Sequence, residues 1–317
     1  MKKLAASLAV ACMAVFCAEG AKAADFDPQA AIQELVVSGY VESWTGYTFL
    51  TSLGGENAVG GNEPDPQAYF ASNVSGRLSL PLGDTLSLQT DVGLEYTENA
   101  FDDDDSEDVF ESGFYLGGHL THRDPSAGAF GVFAAFGASR TDEDNIEFYA
   151  VGGEGQVYLN DVTLYLQGGY FDAKDGEETG VDRQDPLHNA FFVRGVGRWF
   201  LSPDSRFQAE VSYAAGDQGA FPTDDMYLIE WGVRFDTVLH GLPVIGDTPV
   251  FAGYRGARFD NEGIAPGIED GQTTEHTIMV GFTHAFGGNS MQEFDRVGAT
   301  LDLPGFARWV GYGENLD

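Results

Sequence analysis

Leu86 to Tyr96 reads LSLQTDVGLEY. Successive side chains of a strand point to opposite faces, so Leu86, Leu88, Val92, Leu94 and Tyr96 fall on one face and Ser87, Gln89, Asp91 and Glu95 on the other. Two environments fit this alternation. A sheet in a soluble domain buries the leucines in a core and wets the carboxylates, whereas a closed sheet in a bilayer turns the leucines to lipid and encloses the carboxylates in a lumen. The rest of the chain decides between them.

The first 23 residues, MKKLAASLAVACMAVFCAEGAKA, place Lys2 and Lys3 before an apolar run from Leu4 to Ala18 and end in Ala21-Lys22-Ala23. This pattern predicts a secretory signal peptide over 1–23, cleaved after Ala23. The run is shorter than the roughly 20 residues that span a bilayer as a helix. Both cysteines, Cys12 and Cys17, lie inside it, so the mature chain is expected to meet an oxidising compartment without a disulfide. Phe16 before Cys17, and the very short apolar stretch before Cys12, argue against acylation.

The formal charge is −34; removing 1–23 takes away Lys2, Lys3, Lys22 and Glu19, a net +2, and leaves −36 with Lys174 as the sole lysine. Nucleic acid is excluded as a partner, because binding phosphate needs a basic face. With 13% aromatic residues and 42 glycines the composition is that of a sheet protein and not of a disordered acidic chain.

Beyond a short helix candidate, DPQAAIQEL near the mature N-terminus, the chain reads as strand and turn. Period-two or β-rich segments run over 36–50, 67–81, 85–96, 113–122, 128–139, 146–159, 162–171, 188–201, 206–215, 226–238, 250–259 and 275–287. The links alternate in length. Polar stretches over 51–66, 97–112, 172–187, 216–225 and 260–274 are long, whereas 82–84, 123–127, 160–161 and 202–205 are tight turns. Two links depart from the rule: 140–145 is short and 239–249 is long. Long links on one rim and short ones on the other are the mark of a membrane barrel. The expected organisation is a signal peptide (1–23), a periplasmic N-terminal segment (24–35), an all-β, 12-stranded antiparallel transmembrane barrel (36–287) and a C-terminal tail (288–317).

Face by face the strands agree. Val162, Leu164, Leu166 and Tyr170 oppose Thr163, Tyr165 and Gln167; Phe207, Ala209, Val211 and Tyr213 oppose Gln208, Glu210 and Ser212. In the tenth segment Tyr227, Ile229, Trp231, Val233 and Phe235 oppose Glu230, Arg234 and Asp236. An arginine on the lipid face at mid-bilayer costs about 2–4 kcal/mol, so the charged members should point inward. Aromatic residues fall at the strand ends: Tyr96, Phe114, Tyr170, Phe191, Tyr213 and Tyr227 beside long links, and Phe130, Trp199, Phe207, Phe235 and Phe286 beside short ones. Such bands are interfacial girdles.

Two further segments carry a family resemblance. IMVGFTHAF, Ile278 to Phe286, is similar to a closing-strand signal read by the barrel assembly machinery, with Gly281 and Phe286 at the usual separation; HLTHRDPSAGAFGVFAAFG, His119 to Gly137, is similar to a hairpin of barrels of this kind. The chain thus resembles the outer-membrane β-barrel proteins of Gram-negative bacteria, particularly porin-like ones. That resemblance implies export through the periplasm to the outer membrane and passive transport of small hydrophilic solutes. The partners it implies are outer-membrane lipid, lipopolysaccharide and the assembly machinery, with homo-oligomers left open. In typical members the closing Phe is the last residue; here 31 residues follow it.

The candidate pore-lining residues are Arg77, Asp91, Glu95, Glu154, Arg194, Arg198, Glu210, Glu230, Arg234 and Arg255. Opposed rows of these charges across a water-filled pore would create a transverse field and a charge preference. Alternatively they pair and seal the barrel, since twelve strands lie between the filled 8-stranded and open 16-stranded cases. The functional expectation is a passive channel, with a sealed structural or adhesive barrel as the alternative and a lipid hydrolase as a remoter one. Nothing local marks a nucleophile among Ser139, Ser202 and Ser212, and His119, His122, His188, His240, His276 and His284 form no ligand spacing. No catalytic residue, metal or cofactor is therefore expected.

The run Phe101 to Ser112 carries Asp102, Asp104, Ser106 and Asp108 at calcium-loop spacing, but Glu107 and Gly113 stand where Gly and Glu belong. A solvated loop is expected there, with divalent ions shared with lipopolysaccharide phosphates as the alternative. The six links of the long rim hold 27 acidic residues against Arg140, Lys174 and Arg183. Finally, Leu301, Leu303, Phe306, Trp309, Val310 and Tyr312 make the tail too apolar for a free terminus. It is expected as a periplasmic cap, with a lumenal plug as the alternative, while Pro304 argues against an added strand.

Overall fold

The computed structural model describes residues 37–52, 68–99, 112–140, 145–174, 187–218, 225–242, 246–261 and 271–311. The expected signal peptide, the segment 24–35 and the acidic run 101–111 lie outside the described residues.

Twelve strands close into one antiparallel barrel. They are β1 (Ser38–Ser52), β2 (Ala68–Pro81), β3 (Leu86–Asn99), β4 (Ser112–Asp124), β5 (Gly128–Arg140) and β6 (Asn145–Leu159), followed by β7 (Val162–Ala173), β8 (Leu187–Ser202), β9 (Ser205–Gln218), β10 (Asp225–Leu242), β11 (Gly246–Asn261) and β12 (Gly271–Phe286). Each pairs with its sequence neighbours, and β1 meets β12 from Gly39↔Phe286 to Ser52↔Thr273. Closure leaves no edge, which is what a sheet in hydrocarbon requires, because no water is available there to satisfy free backbone groups.

The faces follow the alternation of the sequence. In β3, Leu86, Val92, Leu94 and Tyr96 are exposed on the outside while Ser87, Gln89 and Asp91 are buried inside. Phe114, Phe191, Phe130, Trp199, Phe207, Phe235 and Phe286 are likewise exposed outward, in bands at the two rims. The short rim is built from local hydrogen bonds. Asp124 accepts from the backbone N–H of Ser126 (2.9 Å) and its carbonyl from Ala127 (3.0 Å), and Asn160 takes φ of +48° in the two-residue β6–β7 turn.

The long link expected over 239–249 is mostly strand. β10 and β11 continue their pairing through Leu239↔Thr248 to Leu242↔Gly246, with a register shift and Gly241 at φ of +69°. Pro249, the last residue of that link, sits where β11 has outrun β12, whose pairing begins at Val250, so its missing N–H costs no ladder bond.

After β12 the chain turns inward. Helix α1 (Met291–Val297) begins at Ser290, whose side chain accepts from Glu293 N–H (3.1 Å), and ends at Gly298. It lies across the short turns: Gln292 N–H donates to Pro203 O (3.0 Å), and Gln292 Nε2 (3.2 Å) and Arg296 both donate to Asn160 O. A short helix, α2 (Phe306–Gly311), then lies against β4, β5 and β6 inside the barrel. Of the expected cap only α1, lying across the short rim, is found, and the rest of the tail follows the alternative, a lumenal plug. From Gly298 onward the tail threads the lumen, because apolar inward side chains of the long-rim half offer Phe306 and Trp309 a dry site that the rim does not.

Candidate functional site

The site is the lumen, formed by inward residues of every strand and by the tail that occupies it. Its half nearer the short turns is polar. Asp91 on β3 faces Arg77 Nε (3.4 Å) and His119 Nε2 (3.4 Å), and His119 Nδ1 donates to Glu154 Oε1 (2.8 Å). Glu154 also accepts from the Tyr165 hydroxyl (2.6 Å) and Gln167 Nε2 (3.3 Å). Both ring nitrogens of His119 face carboxylates, which sets the ring between Asp91 and Glu154.

The tail is held by side chains of this network. Gln89 grips Leu301 at both backbone groups, Nε2 donating to its carbonyl (2.6 Å) and Oε1 accepting from its N–H (3.3 Å). Arg194 and Arg198, four residues apart on one face of β8, straddle Asp302: Arg194 donates to Oδ2 (2.6 Å) and Arg198 to Oδ1 (3.2 Å). Arg198 also donates to Asp295 Oδ1 (2.8 Å) and Thr300 O (3.0 Å), while Thr163 donates to Asp295 Oδ2 (2.6 Å). Arg194 pairs in addition with Glu210.

Along β5 to β8, β10 and β11 the half nearer the long links is apolar inside as well as outside. Phe133, Phe148, Phe171, Phe192, Leu228 and Phe259 point inward and bury Leu303, Phe306, Trp309 and Val310 of the tail. Phe306 stacks on Phe171 (5.5 Å between centroids), and Trp309 meets Phe171 and Phe192 edge-on, each at 5.5 Å. Inward glycines make the room: a Cβ on Gly152 would lie 2.7 Å from the Phe133 ring, and one on Gly117 would collide with Leu303. Arg308 of α2 crosses to the opposite wall, donating to Glu95, to Glu275 and to the Tyr69 hydroxyl (3.1 Å).

In the half nearer the short turns the tail thus leans on β3 to β8 and leaves free space against β9 to β12, β1 and β2. A cavity of about 520 Å³ remains there, with Glu42, Arg206, Arg234, Asp236, Phe294 and Asp302 among its lining and the exposed His240 and Asp247 at the short rim. Arg234 pairs with Glu42 (2.7 Å) and Asp236 (2.7 Å) and lies 3.5 Å over the Phe251 ring.

All ten residues singled out from the sequence point inward, and the structure brings most of them into direct pairs: Arg77–Asp91, Arg194–Glu210 and Arg255–Glu95 (3.2 Å). Glu230 is buried beside the cavity. The charges do not stand as opposed free rows. The candidate list left out Glu42, His119, Arg206, Glu275 and the tail's Asp295, Asp302 and Arg308; Gln89 and Asp236, which the alternation had already set on the inward face, were not singled out either. Arg123, read as part of a turn, is an inward residue of β4, buried to 1% exposure. The available signal was parity: each of the strand residues missed falls on the polar face once the register is set.

No family model matches the chain, and no curated protein matches it in sequence. Among solved structures, the COG4313 outer membrane channel from Pseudomonas putida F1 aligns with 83% of this chain and 100% of its own, at 12% identity and a TM-score of 0.54. The chain has the fold of an outer-membrane β-barrel. A FadL homologue from Pseudomonas aeruginosa aligns over 79% of this chain and 90% of its own (9% identity, TM-score 0.40), and OccK2 of the same organism over 80% and 100% (9%, 0.37). These likenesses concern the backbone course of the barrel; the tail inside it is read from its own contacts.

Proposed function

We propose that this barrel is an outer-membrane channel for passive diffusion of small hydrophilic solutes, closed in the present state by its own C-terminal segment. The observation that carries the reading is the plug itself. Beyond α1 every bond the tail makes to the wall involves a side chain, it adds no strand to the sheet, and it lies beside a cavity with charged lining that continues to the short rim. A barrel that conducts must hold such an element reversibly, and hydrogen-bonded ionic contacts to a continuous wall can be broken without disturbing the sheet. No catalytic role is assigned to any lumenal residue.

One observation favours a second reading, a permanently sealed structural barrel: the apolar half of the lumen packs Phe306 and Trp309 as a protein core would. Planar-bilayer recording separates the two. Leu303 touches Gly117, so the pair Gly117→Cys and Leu303→Cys should cross-link the tail to the wall. A channel shows current steps that vanish when this pair is oxidised and return on reduction. Absence of steps under every condition establishes the sealed barrel instead.

A further inference from the structure

Resting on the channel reading, we infer that Arg194 and Arg198 form the lumenal binding station for an organic anion, a small carboxylate, and that Asp302 of the tail occupies this station in the closed state. One carboxylate bridges two guanidiniums, with Oδ2 on Arg194 at 2.6 Å and Oδ1 on Arg198 at 3.2 Å. Planar guanidiniums match carboxylates in this way, and the geometry is a recognition geometry. The two arginines are buried to 5% and 3% exposure, and Asp302 lines the cavity that reaches the short rim. An anion entering from that side meets this pair.

Withdrawal of the tail changes the local balance of charge. Arg198 has ion-pair partners only in Asp295 and Asp302 among the described contacts, both on the tail, whereas Arg194 retains Glu210. On the facing wall Arg123 uses one nitrogen, on Gly298 O, and its Nε and Nη2 are buried without an acceptor, as is Nε2 of Gln156. Residues 123 and 156 both pair with Ala129, so these unused donors belong to one row of the wall. Carboxylates released by the same withdrawal, Glu95 and Glu275, belong to the other half of the lumen, where Arg308 had neutralised them. The half nearer the short turns therefore gains positive character when it opens, in a chain of formal charge −34.

The test uses full-length protein in planar bilayers, with succinate as the probe. Replacing Asp295→Asn and Asp302→Asn together should raise mean conductance about tenfold or more, since it removes the tail's half of buried ion pairs. The open state should show a reversal potential shifted toward the anion in a potassium chloride gradient, and millimolar succinate should reduce its current. Adding Arg194→Gln and Arg198→Gln should cancel both the shift and the succinate effect, with heat-modifiable gel mobility reporting that each variant is folded. Should the variants misfold, the unmodified protein gives the same answer: succinate, by competing with Asp302, raises its opening frequency, and sucrose of equal osmolarity does not. Opening with cation preference, or indifference to succinate, overturns the anion station and leaves the channel reading standing. Folded variants that never conduct overturn the channel reading itself.

Discussion

Val92 and Asp91 are adjacent in β3 and meet opposite environments, Val92 half-exposed on the lipid face and Asp91 buried between Arg77 and His119. An arginine placed at Val92, near the middle of the strand, should destabilise the barrel by about 2–4 kcal/mol in denaturant unfolding from detergent or vesicles. Substitution at the exposed Asp84, in the short β2–β3 turn, should leave stability within about 0.5 kcal/mol. Equal effects at the two positions would contradict the assigned faces. Inside, Arg198→Gln leaves Asp295 without its cationic partner, although Thr163 still donates to it, and should cost about 3–5 kcal/mol by the same measurement.

Among the elements, the tail differs from the strands in how it is held. The strands are fixed by continuous ladders, and the tail beyond α1 by bonds that each involve a side chain, its own or the wall's, with apolar burial concentrated in α2. Truncating a buried aromatic costs about 3–5 kcal/mol, so Phe306→Ala with Trp309→Ala should undock α2. The barrel itself should survive. The expected result is a tail cleaved by protease added at the short rim while heat-modifiable mobility is retained and conductance rises; a barrel that unfolds together with its tail would show that the plug is part of the core that holds the sheet. Six residues of α2 cannot sustain a helix in water, which places its stability in the lumen's packing and not in its own backbone.

For the whole molecule, the acidic long rim and the arginines of the lumen act over different ranges. Interactions among exposed charges decay within a Debye length of about 10 Å at 0.1 M salt, whereas buried pairs are screened far less. The preference of the open channel should therefore move toward anions as salt rises, because the rim's attraction for cations fades first. Neutralising Asp102 to Asp105, which lie outside the described residues, should produce the same displacement at low salt and none at high salt, read as reversal potentials. A preference that does not change with salt would remove the rim from the account.

The sequence by itself determined the sheet. Alternation through Leu86 to Tyr96 and its equivalents sets which side chains face lipid, since a strand's period of two admits one register once arginines are barred from hydrocarbon. The period-two segments gave twelve strands, alternating link lengths pointed to a barrel, and parity put all ten singled-out residues inside. Only the tertiary structure decided what fills the lumen. Alternation is blind to Phe133, Phe148, Phe171 and Phe192, where both faces are apolar, because an inward phenylalanine is recognisable only against what it packs upon. The same holds for Asp302 and Arg308: no local pattern links them to Arg194, Arg198, Glu95 and Glu275, residues up to 213 positions away, until closure of the barrel brings opposite walls within reach of one returning chain.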